Sequence, residues 1–93
     1  MENTIVSHYT GRVAVAFKKR TGCPKCLFLD MSIKNSDHTN IESIYLEDHS
    51  ADDFRELGVT GTPVMAIVED GVIVERDATV VTVDQLNDFM AKL

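Results

Sequence analysis

The sequence is poor in most of what would mark a specialised chain. It holds only two cysteines, two prolines, five glycines and no tryptophan among 93 residues. So little Gly and Pro, beside an ordinary apolar share, excludes a disordered or low-complexity chain. Basic residues are also scarce, nine against fifteen acids, for a net charge of −6. Binding phosphates needs a basic patch, so nucleic acid is excluded as a partner. The same balance speaks against an anionic membrane surface. No apolar run exceeds about six residues, far short of the ~20 that cross a bilayer. The opening MENTIVSHYT lacks a basic n-region and an apolar h-region, so no signal peptide is expected and the expected location is cytoplasmic. In that compartment two cysteines are rarely a structural bridge. A bridge between Cys23 and Cys26 would in any case close a loop too small to stabilise much.

What is present fits a single domain over residues 1–93, expected to be a monomer. Residues 1–11 are polar and mixed, a ragged lead-in or a short extra element. Val13-Ala14-Val15-Ala16-Phe17 reads as a strand buried on both faces. From Pro24 the spacing predicts a helix. Pro24 suits the first turn, Cys26, Leu29 and Ile33 recur three and four apart, as do Leu27 and Met31, and Asn35-Ser36-Asp37 closes it. A strand follows over Ile41–Leu46. A short helix is capped by Ser50, carries Phe54 and Leu57, and stops at Gly58. Val64–Val68 is another buried strand, Glu69-Asp70-Gly71 a hairpin turn, and Val72–Arg76 the returning strand. Thr82 and Gln85 form a capping box ahead of a last helix with Leu86, Phe89, Met90 and Leu93 on one face. The helical crossover makes the first two strands parallel, and the hairpin makes the last two antiparallel. The expected fold class is α/β, a mixed four-stranded sheet with helices on both faces in the order βαβαββα.

Both cysteines sit in Thr21-Gly22-Cys23-Pro24-Lys25-Cys26, just after a buried strand and at a helix start. Orphan N–H groups and the helix dipole favour negative charge there. A thiolate at Cys23 gains from both, and its pKa can fall below the usual ~8.5. Lys25, with Lys18, Lys19 and Arg20 before the motif, makes this the one locally basic stretch. Three residues apart on a helix means one face, so Cys23 can be exposed while Cys26 is covered. The exposed thiolate then attacks a disulfide, and the covered thiol resolves the mixed disulfide. Two other readings compete. Zinc takes four ligands, but His8, His38 and His49 are scattered without paired spacing. Two inert buried thiols are the third reading, which the Pro-Lys insertion and Gly22 disfavour.

On these residues the chain resembles the thioredoxin/glutaredoxin superfamily over about residues 12–93. The resemblance rests on Cys23-Pro24-Lys25-Cys26 after an apolar strand, Asp48 at the end of the second strand, Gly58-Val59-Thr60-Gly61-Thr62-Pro63, the hairpin Gly71 and the final amphipathic helix. It implies a dithiol–disulfide oxidoreductase and electron carrier with Cys23 as nucleophile and Cys26 as resolving thiol. No bound cofactor is implied beyond a redox-active Cys23–Cys26 disulfide. It also implies a cis Pro63, with Thr62 and Pro63 docking an extended substrate beside Pro24 and Lys25. A trans proline opening a strand is the bland reading. The implied partners are a disulfide-containing protein substrate and a donor, either a thioredoxin-reductase-type flavoenzyme or glutathione. The departures are specific. Gly22 stands where thioredoxins carry Trp, Phe17 where they carry a buried Asp, and Met31 where a proline kinks the helix. Phe17 leaves the proton acceptor for Cys26 to Lys18 or a water. Lys25 replaces the aromatic residue of glutaredoxins, whose Gly-Gly is absent after the hairpin, and Asp77 reads as a solvated turn acid. A redox-inactive interaction module on the same fold and a zinc-binding domain are the alternative functions.

Overall fold

The computed structural model describes residues 5–93. Four strands, β1 (Arg12–Lys18), β2 (Ile41–Tyr45), β3 (Val64–Glu69) and β4 (Val72–Asp77), alternate with α1 (Pro24–Asn35), α2 (Ala51–Glu56) and α3 (Val83–Met90). They form one sheet in the order β2-β1-β3-β4. β1 runs parallel to β2 and antiparallel to β3, and β4 is antiparallel to β3. The parallel pair is joined through α1, and the β3–β4 pair through the two-residue turn Asp70-Gly71. Both turn residues have positive φ, 50° and 85°, the geometry that matches the twist of a tight hairpin.

The central strands β1 and β3 are covered on both faces, which explains their unbroken apolar runs. On one face Ala14, Ala16, Met65 and Ile67 pack under Leu29 of α1 and Leu86, Phe89 and Met90 of α3. On the other, Val15, Phe17, Ala66 and Val68 pack under Phe54 of α2, under Leu57 at its C-cap, and under Ile5 and Val6. Helices therefore lie on both faces. The caps follow the sequence. Ser50 accepts the Asp53 N–H, and Thr82 and Gln85 complete a capping box.

Of the two alternatives for residues 1–11, the described part favours a short extra element: residues 5–8 form a turn with Ile5 and Val6 in the core, and residues 1–4 lie outside the described part. In α1 the two apolar spacings part, and Leu27 and Met31 do not line the core. They and Phe28 are exposed, at 62%, 59% and 57%. The buried positions are Cys26, Leu29 and Ser32. Ser32 reaches the core side because its hydroxyl donates to the Val81 carbonyl, tying α1 to the segment before α3.

Candidate active site

The site lies at the end of the sheet where β1 finishes and β3 begins. Phe17 pairs with Val64 in the antiparallel register. The residues after β1 and those before β3 therefore meet at the same end. The motif Cys23–Cys26 follows β1, and Thr62-Pro63 precedes β3, so the topology brings them together.

Gly22 admits the chain into α1 with φ +70°, a left-handed conformation that costs an L-residue side chain energy. Space is open where a Cβ would stand, so backbone conformation and not crowding favours glycine here. Cys23 is the N-cap of α1 and Pro24 its first residue. The Cys26 N–H is shared between the Cys23 carbonyl at 3.1 Å and the Cys23 sulfur at 3.3 Å, so a donor of the helix start reaches the reacting atom. Cys23 and Cys26 are joined in a disulfide with Cα atoms 5.3 Å apart. Cys23 is half-buried while Cys26 is 1% exposed, the asymmetry that a leading and a resolving sulfur require.

The Thr62–Pro63 peptide bond is cis. Pro63 is buried, and the Thr62 hydroxyl donates to the Cys23 sulfur at 3.4 Å. Lys25, Thr62 and Pro63 line one cleft beside the disulfide. Of the residues singled out in the sequence, Cys23, Cys26, Lys25, Thr62 and Pro63 thus converge, and Pro24 starts the helix that carries the pair.

The basic stretch around the motif is less basic than its sequence suggests. Lys18, with its side chain 4% exposed, is ion-paired with Asp30 of α1. Arg20 makes two parallel bonds to Asp48, at 2.8 and 2.9 Å. Tyr45 lies under both cations, 5.1 Å from Lys18 Nζ and 4.0 Å from Arg20 Cζ. Only Lys19 and Lys25 near the motif have no carboxylate within 4 Å among the described residues.

Glu47 is a site residue that the sequence did not reveal. Its carboxylate accepts the backbone N–H groups of Arg20 and Thr21, fixing the approach to Cys23. Bonds from the Arg20 N–H hold the Glu47 carboxyl below its ordinary range, and the Arg20 guanidinium does the same for Asp48. The usable signal was topological. Parallel pairing of Lys18 with Tyr45 sets the residues after each strand side by side. Asp77 accepts the Thr79 N–H and hydroxyl, which lowers its pKa and accounts for it as a turn acid. Phe17, in place of an acid, packs edge-on against Phe54 with ring centroids 5.3 Å apart. Among the described residues no cluster of three or more His, Cys, Asp or Glu is arranged for a metal ion, and no helix is long and apolar enough to cross a membrane.

No protein-family model and no curated relative matches the chain. Solved structures do. A mutant thioredoxin from Halobacterium salinarum superposes with a TM-score of 0.71 at 22% identity, covering 94% of this chain and 78% of its own. Mitochondrial thioredoxin 3 from Saccharomyces cerevisiae, in its oxidised form, gives 0.69 at 17% identity, covering 98% and 86%. Fasciola hepatica thioredoxin gives 0.64 at 16% identity, covering 88% and 80%. With the strand order, the two-sided helical cover and the Cys-X-X-Cys disulfide, these likenesses establish that the chain has the thioredoxin-like fold.

Proposed function

We propose that the chain is a small dithiol–disulfide oxidoreductase that reduces disulfides of a protein substrate in a reducing compartment such as the cytoplasm. The observation that carries this reading is the Cys23–Cys26 disulfide at the start of α1, half-exposed at Cys23 and covered at Cys26, with the Thr62 hydroxyl on the Cys23 sulfur.

In the reduced protein the Cys23 thiolate attacks one sulfur of the substrate disulfide. A Cys23–substrate bond forms, the substrate S–S bond breaks, and one substrate thiolate leaves and takes up a proton. Cys26 then loses its proton and attacks the Cys23 sulfur. The Cys23–Cys26 bond re-forms and the second substrate thiolate departs. Two electrons pass from protein to substrate. A dithiol flavoenzyme or two glutathione molecules return them. The helix start and the Thr62 hydroxyl stabilise the Cys23 thiolate, both as attacking and as leaving group. Pro63 and the backbone before it offer the edge along which an extended substrate adds.

The test is turnover of a protein disulfide with each donor system in turn. The expected result is sustained reduction with one donor and none in Cys23→Ser. Full turnover by Cys23→Ser would sink the assignment.

A further inference from the structure

Two clefts flank the backbone of Thr60, Gly61 and Thr62. One, of about 350 Å³, has a floor of Leu46, Phe54 and Val59 with Lys19 and Arg55 among its lining residues. The other, of about 370 Å³, is lined by Lys25, Pro63, Val64 and Arg76 among others. Among the described residues no Asp or Glu lines either cleft, although acids outnumber bases fifteen to nine in the chain. Three of the four cations there are also unspent. Arg12, Lys18 and Arg20 are each matched to a carboxylate outside the clefts, whereas Lys19, Lys25 and Arg76 have none within 4 Å among the described residues. Arg76 is held in place by its Nε bond to the Leu57 carbonyl at 2.7 Å, which leaves other guanidinium N–H groups for a second partner. Arg55 pairs, among the described residues, with the exposed Asp52 one turn away, a contact weak enough to yield to a ligand. Between the clefts, Thr60, Gly61 and Thr62 contribute to none of the loop backbone hydrogen bonds among the described residues.

We infer that the substrate docking along Thr60–Thr62 is an acidic polypeptide segment, with carboxylates on both sides of its disulfide, and that Lys19 and Lys25 select it. This rests on the reductase reading above and names the substrate class for it. A segment laid along this edge sends successive side chains to opposite sides. Carboxylates on one side then meet Lys19 and Arg55, and on the other Lys25 and Arg76. The whole chain carries a net charge of −6, so the surface outside this patch is more acidic still and repels an acidic partner. Productive encounter is therefore confined to this one patch, and charge acts mainly on the rate of association.

The test uses the reduced full chain and three disulfide-bridged peptides identical except for Glu, Gln or Lys on both sides of the bridge. Oxidised glutathione and the neutral hydroxyethyl disulfide complete the set. The expected order of kcat/KM is Glu, then Gln, then Lys, with Glu about tenfold above Lys at low ionic strength and the gap closing as salt is added. In Lys19→Gln combined with Lys25→Gln, the Glu-to-Lys ratio should fall below about twofold, a readout internal to the variant. Neither lysine has an ion-pair partner among the described residues, so an unchanged melting midpoint is expected. Equal rates for the three peptides, with the neutral disulfide still reduced, overturn the inference and leave the reductase reading standing. A preference for oxidised glutathione over the Glu peptide overturns it in favour of a tripeptide ligand. No reduction of any disulfide overturns both readings.

Discussion

The Thr62 hydroxyl lies 3.4 Å from the Cys23 sulfur, across 39 residues of chain. The antiparallel pairing of β1 with β3 makes the contact possible. It joins the two halves of the site, the helix start that carries the sulfur and the edge that meets a substrate.

Thr62→Val keeps the shape of the side chain and removes the donor. A hydrogen bond to a charged group favours that charged form. The variant should therefore raise the Cys23 thiol pKa. Titration of the thiolate absorbance of the reduced protein checks this. An unchanged pKa would mean that the hydroxyl does not engage the thiolate.

Gly22→Ala separates backbone strain from crowding. Gly22 sits at φ +70° with nothing within 4 Å of a built Cβ. The expected loss is about 1–2 kcal/mol from conformation alone. Gly61 has equal space without a positive φ, so Gly61→Ala should change stability by less than about 0.5 kcal/mol. Urea melts of the pair decide the matter.

The acid limb of stability should report the loop anchored by Glu47. Both Glu47 and Asp48 have folded-state pKa values below their ordinary 4.5 and 3.8. A group depressed on folding contributes its full stability above the unfolded value and loses it as pH falls through the folded one. Stability should thus hold steady above pH 4.5 and decline below it, with a shallower decline in Glu47→Gln. Amide resonances of Arg20 and Thr21 should titrate with the same low pKa in the parent protein.

Two leucines on α1 should behave oppositely. Leu29 is fully buried and Leu27 is 62% exposed. Leu29→Ala should cost about 2–5 kcal/mol through lost burial and the cavity left behind. Leu27→Ala should cost less than about 0.5 kcal/mol. Thermal or denaturant melts of each variant test the assignment of the helix face.

Those two residues also show where sequence reasoning reached its limit. Strand β1, strand β3, the Asp70-Gly71 turn and both helix caps were readable because each rests on local chemistry: an apolar run, a turn residue, a hydroxyl three residues before an amide. Helix α1 is apolar all round near its start, so spacing alone could not choose between Leu29 and Leu27. The choice is made by contacts from outside the helix, the Ser32 bond to Val81 and the Lys18–Asp30 ion pair, which orient the helix on the sheet. The cysteine pair was legible as a site from its place at a helix start. Glu47 was not, because its role depends on the register of β2 beside β1. The discharge of Lys18 and Arg20 by Asp30 and Asp48 was hidden for the same reason: charges distant in sequence cancel only once the sheet has set them together.

The most direct test of the central claim is to trap the intermediate. Reduced Cys26→Ser, mixed with a disulfide peptide, should accumulate a Cys23–peptide mixed disulfide, seen in its intact mass and released by dithiothreitol. Cys23→Ser should accumulate none, since Cys26 is 1% exposed. A mixed disulfide on Cys26 in Cys23→Ser, with none on Cys23 in Cys26→Ser, would contradict the account.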